Sequence, residues 1–127
     1  MRVISLREIE GTEREVRCPK GGFVSYRFLL EKDGMGFSVH KTVIPKGEAQ
    51  HWHYTKHLEA CYCVSGWGLI TNLKTGKQDM IREDMIYALD DHDDHTFQAI
   101  QDTVLISIFN PPVKGSEVHK EDGSYDL

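Results

Sequence analysis

Along most of the chain apolar and polar positions alternate every second residue, in short runs cut by glycine, proline or clustered acids. That period predicts half-buried β-strands joined by turns. In residues 1–10, Val3 and Ser5 alternate with Ile4 and Leu6, which predicts a short edge strand. EGTEREV then reads as a polar loop and PKGG, 19–22, as a turn. FVSYRFLL, 23–30, is rich in aromatic and branched residues and predicts a strand. EKDGMG is a turn with its tip at Asp33 and Gly34, and GFSVHKTVI, 36–44, alternates as the next strand. Pro45, Lys46 and Gly47 break that run, and QHWHYTKH reads as a loop. LEACYCVSGWGLITN, 58–72, predicts two strands hinged at Ser65 and Gly66. After the turn LKTGKQ, DMI continues as a short strand, and IYAL, 86–89, is another. TFQAI and TVLISIFN predict two strands flanking Gln101 and Asp102, and NPPVKGSEVHKEDGSYDL is an irregular tail.

No window beyond the first dozen residues carries a helical period. Many short strands at close spacing predict an all-β jelly roll, a closed form that limits exposed edges. The 127 residues, without repeat or linker, fit a single domain over 1–127. Hydrophobic residues make up 39% and charged ones 28%, enough for a core and against disorder. The net charge of −5 is spread along the chain, which argues against nucleic acid, whose binding needs a basic face. No apolar run approaches the roughly 20 residues of a membrane span. Charges occupy the place of a signal peptide's apolar core, so a cytoplasmic protein is expected. Three cysteines, an odd number, fit free thiols; Cys61 and Cys63 share a strand face and are expected to be buried and structural.

The chemistry concentrates between Gly47 and Gly66, GEAQHWHYTKHLEACYCVSG. The spacing of Gly47, His53, Thr55, Glu59 and Gly66 resembles the first motif of the cupins, with Thr55 in place of its second histidine. The second cupin motif is represented by His95 alone. Glu59 and His95 then fall at cupin ligand positions, and Tyr87, eight residues before His95, is able to point inward at the same height. Such a set offers two oxygens and an imidazole to a divalent metal of hard to borderline character. The same residues also fit a surface ion pair, a core tyrosine and a loop histidine. His53 is a reserve ligand, and His57, two before Glu59 on the same face, is a candidate acid or base. His51, His40 and His92 read as solvated or structural. The run Asp90 to His95 reads as a solvated loop in which an aspartate orients His95.

The segments GTEREV, LLEKDGMGFSVHKT, HLEACYC, YALDDHDDH and FNPPVKGSEVH, spread over 11–119, resemble the ectoine synthases, cupin-type hydro-lyases. The resemblance implies a small β-barrel, a homodimer and dependence on iron, Fe(II). It assigns the metal to Glu59, Tyr87 and His95. It implies as substrate N-gamma-acetyl-L-2,4-diaminobutyrate, whose amino group attacks its own acetyl carbonyl with loss of water. Tyr54 and His57 resemble the family's acid/base pair, and Glu117 a residue that helps hold substrate or amine. Ser25, Arg27, Thr42 and Phe109 match pocket positions; Arg27 is expected either to face the substrate carboxylate or to form a surface ion pair. Two departures stand out: Phe23 replaces a usual tryptophan, and Ser107 a usual cysteine. They motivate one alternative, a related cupin acting on another acylated diamino acid; a non-catalytic binder of small molecules is a second.

Overall fold

The computed structural model describes residues 1–115 and 117. Ten strands run in chain order: β1 (Glu15–Arg17), β2 (Val24–Leu29), β3 (Ser38–Ile44), β4 (Gln50–Trp52), β5 (Leu58–Ser65), β6 (Trp67–Asn72), β7 (Gln78–Arg82), β8 (Ile86–Leu89), β9 (His95–Ala99) and β10 (Thr103–Asn110). They form two antiparallel sheets, ordered β1-β2-β3-β10-β5-β8 and β4-β9-β6-β7. The two are faced by one cluster of buried apolar residues that includes Phe97, Ile44, Leu105 and Phe109. This is the all-β jelly roll that the alternation predicts.

Three local readings need correction. Residues 1–10 hold one helical turn, α1 (Leu6–Ile9), rather than an edge strand. Ser5 and Glu8 explain it: the Ser5 N–H donates to the Glu8 carboxylate and the Glu8 N–H to the Ser5 carbonyl, a reciprocal cap that outweighs a short alternation. Within EGTEREV, residues 15–17 pair with β2, and within QHWHYTKH residues 50–52 pair with β9. Both segments are polar because they are short and lie at sheet edges, where side chains meet solvent on one face. The expected tip at Asp33 and Gly34 is present: a short 3-10 turn ends on Gly34 in the left-handed conformation. Asp33 organises it, accepting from the Leu30 N–H at 2.8 Å and from Arg14 and Arg2, each at 2.9 Å.

The hinge at Gly66 carries the chain from one sheet to the other. Its φ is +77°, and a Cβ there would collide with the backbone carbonyl of Asp102, so only glycine fits. The long strands β3, β10 and β5 lie side by side, Ser107 opposite both His40 and Cys61, and Phe109 opposite Glu59. On the far side of β5, Cys61 faces Tyr87 and Glu59 faces Leu89. These registers aim alternate side chains of four strands into one interior.

Candidate metal centre and pocket

The inward face of the larger sheet is unusually polar. Ser25 and Arg27 of β2, His40 and Thr42 of β3, Glu59 of β5 and Ser107 of β10 are all buried. In β2 the pattern is inverted: Ser25 and Arg27 point in, while Val24, Tyr26 and Phe28 lie half-buried on the other side. Buried polar groups cost free energy unless satisfied, so a cluster of them needs a reason. Most are hydrogen-bonded. Thr42 Oγ1 and Ser107 Oγ lie 3.0 Å apart, and the Cys61 thiol donates to Ser107 at 3.5 Å.

Some atoms are not, and three of them bear on metal chemistry. Glu59 Oε1, Tyr87 OH and His95 Nε2 are buried without a hydrogen-bond partner. They come from β5, β8 and the start of β9, and the rings of Tyr87 and His95 have centroids 6.5 Å apart. His95 Nδ1 donates to the Asp93 carbonyl at 2.9 Å, which leaves Nε2 as the nitrogen with the lone pair. An aspartate does orient His95, through its backbone rather than its carboxylate. Burial pushes Glu59 up to about 8, partly offset by hydrogen bonds from Cys61 and Ser107. Burial also raises Tyr87 and Cys61 well above their ordinary values and lowers His95. Alone, the donors are therefore neutral and short of a positive charge. Among the described residues no three His, Cys, Asp or Glu side chains form a ready metal cage; the trio takes its third donor from a tyrosine.

Beside Glu59 and Tyr87 lies a cavity of about 10 Å³, room for about one water-sized occupant, which His95 does not line. Phe23, Ser25, Thr42, Tyr54, Ser107 and Phe109 line it together with Glu59 and Tyr87. Sequence reasoning missed His40, Trp52, Cys61 and Leu105, which line it too. The alternation of Ser38, His40, Thr42 and Ile44 was the available signal for His40, whose Nδ1 lies 3.3 Å from Ser25 Oγ. Trp52 sits edge-on to Phe23, ring centroids 5.2 Å apart, so the wall that Phe23 narrows is backed by a second indole.

His57, Arg27 and Glu117 are buried but do not line this cavity. His57 Nδ1 donates to the Pro111 carbonyl at 2.8 Å, just after the cis bond from Asn110. Arg27 is no surface ion pair. Its guanidinium donates to the carbonyls of Gly115 and Glu117, each at 2.7 Å, and its Nε to Ser25 at 3.3 Å. The Glu117 carboxylate accepts the N–H groups of Lys114 and Gly115, both at 2.7 Å. Together they strap the tail across the β2 end of the pocket. His92 is structural: its Nδ1 reaches the carbonyls of Tyr54 at 2.9 Å and His57 at 3.0 Å, pinning the segment that carries both. The reserve ligand His53 instead points to Asp94, 3.9 Å away, and His51 lies 2.5 Å from the same carboxylate.

A jelly roll with an inward trio of oxygen and nitrogen donors defines a cupin-type enzyme. A cupin domain of an XRE family transcriptional regulator from Enterobacter cloacae shares the fold alone, with TM-score 0.59 and 13% identity over 72% of this chain and 98% of that one. The family model for ectoine synthase matches residues 1–127. The L-ectoine synthase of Wolinella succinogenes is 46% identical over 127 residues, all of this chain and 97% of that protein. The crystal structure of ectoine synthase from P. lautus superposes with TM-score 0.85 and 38% identity, covering 91% of this chain and 82% of that one. The chain belongs to the ectoine synthase family, and is accordingly a hydro-lyase.

Proposed function

We propose that the chain cyclises N-gamma-acetyl-L-2,4-diaminobutyrate to ectoine with a divalent iron held by Glu59, Tyr87 and His95. The observation that supports this reading is that Glu59 Oε1, Tyr87 OH and His95 Nε2, on three different strands, are buried without a hydrogen-bond partner, with the Tyr87 and His95 rings 6.5 Å apart. Their mix of carboxylate, phenol and imidazole suits a metal of borderline to hard character. When bound, such an ion supplies a Lewis acid that polarises the acetyl carbonyl.

The remaining demands fall on the chain's own side chains. His57 commits Nδ1–H to Pro111, so Nε2 is the basic nitrogen and is suited to take a proton from the attacking α-amino group. The Tyr54 hydroxyl is suited to give one proton to the carbonyl oxygen as the new carbon–nitrogen bond closes the ring; the proton taken by His57 supplies the second, so the oxygen leaves as water, and the amine's remaining proton returns to Tyr54. Tyr54 is held against Phe109, centroids 5.1 Å apart, and its backbone is fixed by His92. Substrate entry has to widen the cavity from the roughly one-water space it offers, and the aromatic wall of Phe23, Trp52 and Phe109 then keeps the folded substrate partly dry, which favours attack by the molecule's own amine over water. We place the reaction in the cytoplasm, in keeping with three free cysteines, two of them buried. Among the described residues no helix is long and apolar enough to cross a membrane. We further propose a homodimer through the outer face of the larger sheet.

The experiment is direct. Purified protein with ferrous iron and the acetylated substrate forms ectoine; Glu59→Ala lowers bound iron to background and turnover by at least about 100-fold. Turnover that survives this change in the presence of a chelator sinks the reading.

A further inference from the structure

A second cavity, of about 240 Å³, lies between β6–β7 and β8, on the other side of Tyr87 from the pocket just described. Tyr87 lines both. The outer cavity also reaches His95, and Asp79, Asp90 and Asp93 line it, with Lys77 as its only cation. Two of its lining side chains, Tyr87 and His95, are thus more than nine-tenths buried and carry an unpartnered donor atom. Asp79 makes an exposed, loose ion pair with Lys77 at 3.7 Å, and Asp93 accepts from the Asn72 amide and the Asp91 N–H, each at 3.3 Å, so three carboxylates face a single cation.

The route through the inner pocket is unsuited to a dication. That pocket holds about 10 Å³ and is walled by Phe23, Trp52, Tyr54 and Phe109. Along these walls Ser25, Thr42 and Ser107 offer only neutral oxygens, so an ion that sheds water on that route meets no carboxylate before Glu59. The buried guanidinium of Arg27 sits beside Ser25 at its β2 end and repels a cation. The outer cavity has the opposite character, since carboxylates replace lost water and concentrate cations.

The geometry points to this outer cavity as the cation-entry port of the site, with Asp79 and Asp90 drawing a hydrated divalent ion inward to Tyr87 and His95, apart from the mouth that admits substrate. The inference rests on the metal trio proposed above. Neither aspartate is a ligand; both are positioning residues for the ion's approach. Negative charge at the port speeds uptake, and Lys77 slows it.

The test follows uptake of cobalt(II) by the metal-free full-length chain. Trp52, whose ring lies 6.2 Å from that of His95, reports arrival by fluorescence quenching in stopped flow. Asp79→Asn with Asp90→Asn lowers the association rate constant roughly threefold or more at low salt, and the difference shrinks as salt is added. Lys77→Gln raises it. Final stoichiometry by elemental analysis stays at the wild-type value in all three proteins. Opposite signs from opposite charges separate steering from general damage to the fold. Association rates unchanged in both variants overturn the port while leaving the metal site standing. If wild type takes up no cobalt, or Glu59→Ala takes up as much, the metal reading itself fails, and the port with it.

Discussion

Burial pushes the Glu59 carboxyl up to about 8, which favours its protonated form at neutral pH. If Glu59 holds a metal as proposed, the ion displaces that proton. Apparent affinity for divalent iron therefore rises with pH, by up to about tenfold per unit, and this dependence fades above about 8. The stability of the metal-free protein moves the other way. Below pH 4.5 the folded and unfolded chains both carry the proton, and the fold keeps its full stability from this group. Between 4.5 and about 8 the unfolded chain ionises first, so stability falls. Glu59→Gln does not titrate. With a chelator present, wild type should lose melting temperature relative to Glu59→Gln as pH rises through that window; a gap that stays constant refutes the buried, uncompensated carboxyl. This residue was legible in sequence because motif spacing marks a carboxylate at that point of the strand. Arg27 and Glu117 were named only through the family resemblance, and the contacts of Arg27 were not legible at all, since its partners are backbone carbonyls 88 and 90 residues away, which no spacing encodes.

At the level of elements, strands were readable wherever one face was apolar and the other wet. β3, β5 and β10 alternate cleanly and appear where predicted. The segments misread were α1, β1 and β4, each three or four residues long, where one cap or a few edge hydrogen bonds decide the outcome. Direction was harder than existence. In β2 the polar residues face inward, so a hydrophobic reading alone assigns its two faces backwards. The crossing between sheets is the element most exposed to a single change. Gly66→Ala forces a non-glycine residue to φ +77° and drives its Cβ into Asp102 and Thr103. Gly34→Ala shares the left-handed φ, +74°, but meets nothing within 4 Å. In urea denaturation Gly66→Ala should cost about 3 kcal/mol or more, Gly34→Ala about 1 kcal/mol. Equal losses would show that backbone strain alone, and not the close approach of the two segments, requires glycine at the hinge.

For the molecule as a whole, the outer face of the larger sheet remains to be accounted for. Leu58, Tyr62 and Val64 of β5, Ile86 of β8 and Ile108 of β10 are exposed. They are neighbours across strands: Tyr62 lies opposite Ile86 on one side and Ile106 on the other. A contiguous apolar patch of this kind is unusual on a monomer, and β8 ends its sheet with an unpaired edge. A second copy of the chain would bury the patch; a stable pair of standard size covers roughly 800 Å² on each partner. The sheet cannot instead be turned inward, because its other face already holds the polar pocket. Sedimentation of wild type should therefore give twice the mass of one chain, and Ile86→Lys with Ile108→Lys should give the single chain, with circular dichroism unchanged. Each lysine would bring an unpaired charge into the interface, a cost of several kcal/mol that a two-fold arrangement incurs twice. If the double variant keeps the wild-type mass, the pair forms elsewhere, and the apolar face must serve a different partner.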